Sequence, residues 1–320
     1  MNIRKNPAKV FQFLKKQTTF LIIIILLLCI IVGVINKRFL SVQNFTNLFK
    51  QISVTGICSI AMALVLISGG FDLSIGSLLS LVACVISTLI NLGFPEIVAI
   101  IIGILGGGMC GALNGIIIAK SRCAPVIITL GTMGVFKGAA LLIAGGNIIN
   151  FKVPVSILTR TEIIGAPTIV FVFLIVVIII YLFLKSTVFG KRIYAIGGNE
   201  EAAYLAGVNI VISKTIIYMI AGFIISLASV SLIMRLGSAS AVMGDSYTLN
   251  AVASAVIGGI AISGGKGTIG GCFLGIMLLG IISNGMNILG VTAYLQEIIL
   301  GSIVVIAAVM SQIGNRTQKN

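Results

Sequence analysis

GKRIYAIGGNEEAAYLAGVN, residues 190–209, is the longest polar interruption in a chain whose other segments are strongly apolar, and it places two of the seven acidic residues side by side. Asn199 is a helix-capping residue, Glu200 and Glu201 fall in the first turn, where the helix dipole favours negative charge, and Gly207 can end the helix. The spacing predicts a helix of about two turns, roughly 10 Å long. Ala202, Leu205 and Ala206 stand at i, i+3 and i+4 and give it one small apolar face. Lys191 and Arg192 precede it on an approach that Gly197 and Gly198 are expected to leave flexible. Such a piece can dock into a groove on another protein, or rest on lipid headgroups as a short interfacial helix.

The rest of the chain says what this interruption interrupts. Of 320 residues 58% are hydrophobic and 9% charged, and the mean hydropathy is +1.22. Soluble domains carry about 25% charged residues, so lipid is the solvent here. The net charge of +14 does not point to nucleic acid, because the basic residues flank apolar runs and form no dense face. Six cysteines, at 29, 58, 84, 110, 123 and 272, show no paired spacing and read as small buried hydrophobes. Histidine is absent, which removes the commonest metal ligand and general base, and the chain offers neither a metal site nor a catalytic set.

The architecture expected is an all-α polytopic membrane protein, one transmembrane domain over 1–320 with about ten spanning helices. A basic segment, 1–17, is followed by an apolar run at about 18–35 that is too long for a signal peptide and lacks a small-residue cleavage site. Further runs lie at about 52–67, 74–91, 96–119, 124–144, 167–184, 215–234, 248–263, 268–289 and 295–312, before a tail at 313–320. With both termini in the cytoplasm, fourteen of the twenty-one Lys and Arg fall inside, six outside, and Lys137 within a span. Stretch 190–209 is then cytoplasmic. The runs 52–67 and 248–263 are short for a bilayer crossing, as broken or tilted helices are. Both end in the same letters, Ile67-Ser68-Gly69-Gly70 and Ile262-Ser263-Gly264-Gly265, which reads as a trace of duplication or as coincidence in a glycine-rich chain.

Small-residue spacings such as Gly103, Gly107 and Gly111, or Gly271 and Gly275, predict close helix packing, or the lining of a narrow passage. Gly264-Gly265-Lys266-Gly267 is not a phosphate loop: Ile260 stands where the first glycine belongs, and Gly267 where magnesium needs Ser or Thr. Asp72 and Lys137 are intramembrane charges and therefore functional suspects, although Asp72 is also placed to cap the helix after it. Asn114, Thr129, Asn284 and Asn287, with Asp72, are candidates for a translocation pathway. Uncharged amides and hydroxyls suit a neutral hydroxylated solute, and serve equally as bonds between helices. No relay of buried carboxylates is present to harvest an ion gradient. A self-contained carrier or channel is the competing reading, and a membrane-embedded enzyme lacks the residues it would need.

The 190–209 stretch resembles the cytoplasmic coupling loop of the ribose-type permeases of ATP-binding-cassette importers, on Gly190, Lys191, Tyr194, Ala195, Gly197, Gly198, Asn199, Glu200 and Ala202. The likeness extends to Gly69–Gly76, to Gly264–Gly267 and to the segment Asn284–Val291. It implies a fold similar to the vitamin B12 importer permease, in the cell membrane, working as a second-copy homodimer with a cytoplasmic ATP-binding subunit and an extracellular sugar-binding protein. No cofactor is implied, and ATP hydrolysis would reside in the partner. The coupling residues it implies are Gly190, Lys191, Arg192, Tyr194, Gly197, Gly198, Asn199, Glu200, Glu201, Ala202, Leu205 and Gly207. A bulky residue at Gly198, or Glu200 and Glu201 reversed to Lys, is expected to uncouple hydrolysis from uptake.

Overall fold

A helix that is apolar on every side has no face to offer to water and belongs at a centre. The inner part of Val42–Ile67 is such a stretch: from Ile52 to Ile67 every residue except Thr55 is buried. The computed structural model describes residues 17–121, 123–152, 162–163 and 166–317. The basic segment 1–16 and tail residues 318–320 lie outside the described residues.

Around this helix, α2, stand α1 (Gln17–Ile35), α3 (Ile75–Asn91), α4 (Glu96–Ser121), α5 (Pro125–Ala144) and α6 (Thr168–Ser186). Two short helices follow, α7 (Val188–Gly198) and α8 (Glu200–Leu205), and then α9 (Ile210–Leu236), α10 (Asp245–Ile257), α11 (Ile269–Ile288) and α12 (Ala293–Thr317). α2 packs on α6, α9, α10 and α11, while α4 lies along α9, α5 leans on α3, and α1 closes against α11. The outer faces of α1, α4, α5 and α6 leave Leu26, Ile30, Leu105, Leu130, Ile175 and Ile179 exposed, an apolar surface far beyond what a soluble monomer shows. Among the described residues, seven helices are long and apolar enough to cross a membrane: α1, α2, α4, α5, α6, α9 and α11.

Of the two short runs one proves long and the other short. The run at 52–67 is the inner part of a 26-residue helix that starts at Val42, where the Ser41 hydroxyl accepts from the Asn44 amide, and so spans easily. Polar Asn44, Thr46, Lys50 and Gln51 hide that start in the sequence. The run at 248–263 is genuinely short: α10 has 13 residues, roughly 20 Å at 1.5 Å per residue. Its start is tucked inside the bundle, with the Gly244 amide donating to Ser80 Oγ at 2.9 Å and the Gly76 amide to Thr248 Oγ1 at 2.9 Å. Finally, the repeated Ile-Ser-Gly-Gly letters do not mark equivalent places. Gly69 ends α2 with φ +79°, whereas the equivalent turn after α10 is made by Gly259 at φ +89°, and Gly264-Gly265 lie in the following loop.

The predicted glycine faces are packing faces. A side chain at Gly111 would strike the Tyr218 carbonyl of α9, one at Gly222 the Gly107 carbonyl of α4, and one at Gly275 the Ser254 carbonyl of α10. Helix backbones can approach this closely only where side chains are missing. Gly111→Leu is therefore expected to destabilise the protein in detergent by roughly 3 kcal/mol, the upper end of core overpacking. Gly106→Leu, whose side chain meets open space, is expected to leave the thermal unfolding midpoint nearly unchanged.

Candidate functional site

The 190–209 stretch folds into two helices joined at Asn199. Asn199 leaves helical geometry at φ −159° and ψ 105°, and its side chain accepts from the Ala202 amide at 2.9 Å, starting α8. Gly207, at φ +84°, ends it with its amide donating to the Tyr204 carbonyl at 2.9 Å and Val208 to Ala203 at 3.0 Å. Both ends match the sequence reading. Asn199→Ala removes one cap, and is expected to cost about 1 kcal/mol locally, seen as faster hydrogen exchange at the amides of 200–205 with little change elsewhere.

The flexible approach is not found. Residues 188–198 form α7, capped by Thr187 Oγ1, which accepts from the Gly190 amide at 2.9 Å. Gly190, Ile193 and Ile196 are buried on one side of it, at helical spacing, so tertiary packing overrides the low helix propensity of Gly197 and Gly198. Gly190 permits the tight turn out of α6: a side chain there would collide with the Leu184 carbonyl. The Tyr194 hydroxyl donates to the Gly267 carbonyl at 3.0 Å, and burial pushes its phenol above the ordinary tyrosine range, which keeps the donor protonated. Lys191 and Arg192 are exposed on the opposite side.

What α7 packs against is backbone. At Gly197 a side chain would meet the Ile67 carbonyl at the end of α2 and, at 2.6 Å, the Gly265 amide. That amide donates to the Ile67 carbonyl at 2.9 Å, and Gly264, at φ +84°, lies close enough to Gly69 that a side chain would fall 2.7 Å from its Cα. Three glycine segments, 69–70, 197–198 and 264–265, thus form one knot linking α7 to the end of α2 and to the loop between α10 and α11. Sequence reading singled out each segment without bringing them together, because spacing along a chain does not report convergence in space. At Gly198 a side chain would find nothing within 4 Å, so Gly197, and not Gly198, is the position that cannot take bulk.

The outward face of α8 has no such partners. Tyr204 is 67% and Leu205 79% exposed, with Ala202 and Ala206 exposed beside them, while Ala203 alone turns inward. Glu200 is anchored by Lys214 of α9, whose Nζ reaches Oε1 at 2.8 Å and Oε2 at 2.7 Å; Glu201 is exposed.

Of the polar candidates, Asp72, Asn114 and Thr129 come together. Asp72 Oδ1 accepts from the Ser74 amide at 2.8 Å and from its hydroxyl at 2.6 Å, so it holds Ser74, the N-cap residue of α3, and not the amides of the helix itself that the capping expectation gave it; Ser74 Oγ accepts from Asn114 Nδ2 at 3.0 Å. Thr129 Oγ1 accepts from the Leu73 amide at 3.1 Å, and Tyr218 donates to the Phe71 carbonyl at 3.3 Å. All of Asp72, Asn114 and Thr129 are buried, so this cluster pins the 69–74 loop to α4, α5 and α9. Asn284 exchanges two hydrogen bonds with Asn44, at 2.9 and 3.0 Å, and Asn287 accepts from Gln296 at 2.8 Å. They therefore tie α11 to two different helices, α2 and α12.

Residues 44–308 match the family model described as branched-chain amino acid transport system / permease component. The Ribose import permease protein RbsC of Bacillus subtilis (strain 168) is 36% identical over 286 residues, covering 88% of this chain and 89% of that protein. The D-allose transport system permease protein AlsC of Escherichia coli (strain K12) is 33% identical over 315 residues, 97% and 95% of the two chains. The Galactose/methyl galactoside import permease protein MglC of Haemophilus influenzae is 33% identical over 328 residues, 95% and 96%. No solved structure matches the chain.

Proposed function

Because the chain belongs to the permease-component family, as a ribose-type permease of ATP-binding-cassette importers, we propose that it carries a monosaccharide, ribose or a related sugar, across the cytoplasmic membrane on ATP hydrolysed by a separate cytoplasmic subunit. Two copies enclose the passage, and an extracellular sugar-binding protein delivers the solute. The chain crosses the bilayer about ten times in a fold like that of the vitamin B12 importer permease, with both termini in the cytoplasm; α3, α10 and α12 supply the crossings beyond the seven long apolar helices.

The observation that carries this reading is the exposed apolar face of α8, Ala202, Tyr204, Leu205 and Ala206, held on a helix whose ends are fixed and whose neighbour α7 is locked to backbone. A docking knob needs both properties: apolar area to bury, and rigidity to pass on a push. Closure of the ATP-binding subunits moves α7 and α8 together, α7 moves the glycine knot, and the knot moves the end of α2 and the loop between α10 and α11. The Asp72, Asn114 and Thr129 cluster keeps the 69–74 loop attached to α4, α5 and α9, so it supports the passage from behind. Preferential docking to one of two permease conformations supplies the work, since a partner shifts an equilibrium only by its difference in affinity. Glycines 190, 197 and 207, with Lys191, Arg192, Tyr194, Asn199, Glu200 and Glu201, shape and position this unit.

Reconstitution tests it. Proteoliposomes holding this chain, the ATP-binding subunit and the sugar-binding protein are expected to accumulate radiolabelled D-ribose, D-allose or D-galactose only with ATP inside and only when all components are present. Uptake by this chain alone would overturn the reading in favour of a self-contained carrier.

A further inference from the structure

Lys137 and Asp245 are 108 residues apart in sequence, and their side chains meet at 2.7 Å while remaining 38% and 49% exposed. Lys137 sits well inside α5, roughly 18 Å along it from Pro125 at 1.5 Å per residue. Asp245 opens α10, the helix whose start is tucked into the bundle beside Gly76 and Ser80. The pair therefore lies within the membrane-spanning layer, yet on the surface of a single copy. Hydrocarbon is a poor neighbour for an exposed ion pair, and charges at this depth face protein or a water-filled cavity.

The surroundings have room for a solute. Gly134 and Gly138 flank Lys137 on α5, and a side chain at either would meet nothing within 4 Å; Ser246, next to Asp245, is exposed. α5 leans on α3 and α4, and α10 packs on α2, α3, α11 and α12, so the ion pair joins two helices that share α3 as a neighbour and are otherwise supported by different parts of the bundle. We propose that Lys137 and Asp245 form a solute-contact site on the wall of the passage, binding adjacent hydroxyls of a neutral polyhydroxylated solute. A sugar hydroxyl both donates and accepts, so neighbouring hydroxyls can donate a hydrogen bond to Asp245 and accept one from Lys137, replacing the contact the two make with each other. An ionic solute would be held by one member and repelled by the other. This assignment rests on the reading of the chain as a sugar-importer permease.

The test uses the complete importer in proteoliposomes. Ser246→Cys is expected to react with a membrane-impermeant methanethiosulfonate, located by mass spectrometry, about tenfold faster than Ile178→Cys on the exposed apolar side of α6, and to be slowed by D-ribose. The exchanged pair, Lys137→Asp with Asp245→Lys, keeps the attraction but reverses donor and acceptor. It is expected to assemble with its partners and yet take up ribose about tenfold more slowly or worse, since hydrogen bonds to charged groups are lost. Labelling at Ser246→Cys as slow as at Ile178→Cys, labelling that sugar does not slow, or wild-type uptake by the exchanged pair would each overturn the site; the last result is what a purely structural tie gives. Failure of the unaltered importer to take up ribose, allose or galactose would instead overturn the sugar reading, and the Ser246→Cys labelling rate would still decide whether the pair faces water.

Discussion

Gly197→Ala is expected to lower ATP-driven uptake by about tenfold or more, while Gly198→Ala leaves it near the wild-type level. The two positions are adjacent, both helical, and both changed in the same way, so helix propensity alone would make the two substitutions equally and mildly favourable. What separates them is the space. A methyl group at Gly197 meets the Ile67 carbonyl and the Gly265 amide, whereas at Gly198 it meets nothing within 4 Å. Backbone cannot swing aside as a flexible side chain can, so α7 must shift away from the end of α2 and from the loop between α10 and α11, at a cost of about 1–3 kcal/mol. That shift opens the connection through which a push on α8 would travel. Uptake and ATP hydrolysis measured in the same proteoliposomes should show hydrolysis continuing without matching uptake. Equal effects of the two substitutions would contradict the role given to the knot.

Leu205→Glu is expected to weaken binding of the ATP-binding subunit by about tenfold to a hundredfold, with no loss of permease stability. Leu205 is 79% exposed, so the fold gains almost nothing from it. A docked partner would bury it, which is worth about 1.5–3 kcal/mol for such a side chain, and the carboxylate would add the penalty of an unpaired buried charge. Affinity of the detergent-solubilised permease for the subunit, alongside its thermal unfolding midpoint, measures both halves. Glu200→Lys is expected to act more weakly, because it breaks a partly exposed ion pair with Lys214 that is worth at most about 1 kcal/mol. A Leu205→Glu permease that binds its partner normally would remove α8 from the interface.

Local chemistry was legible in the sequence, and convergence was not. Asn199 and Gly207 bound α8 where their capping properties placed them, because a cap is decided within four residues. The apolar runs located the long helices for the same reason. The start of α2 was missed because Asn44, Lys50 and Gln51 look like a loop, although a helix end at a membrane surface can carry polar residues. α7 was missed because two consecutive glycines argue against a helix, and only the burial of Ile193 and Ile196 against the bundle outweighs them. The repeated Ile-Ser-Gly-Gly invited a comparison that the structure moves elsewhere: the glycines of both copies do meet, but around Gly197 and in different roles. Lys137 stood out as an intramembrane charge, yet nothing in the sequence paired it with Asp245, since the depth at which α10 begins depends on the contact of Gly244 with Ser80.

The most direct measurement places a photoreactive benzoylphenylalanine at Leu205 in the full-length permease and irradiates it with the ATP-binding subunit present in the membrane, with Val42 at the far end of the bundle as control. The account predicts a covalent adduct with that subunit from position 205, strengthened or weakened by ATP, and none from position 42. An adduct from 42, or from 205 only with lipid or with the extracellular sugar-binding protein, would contradict it.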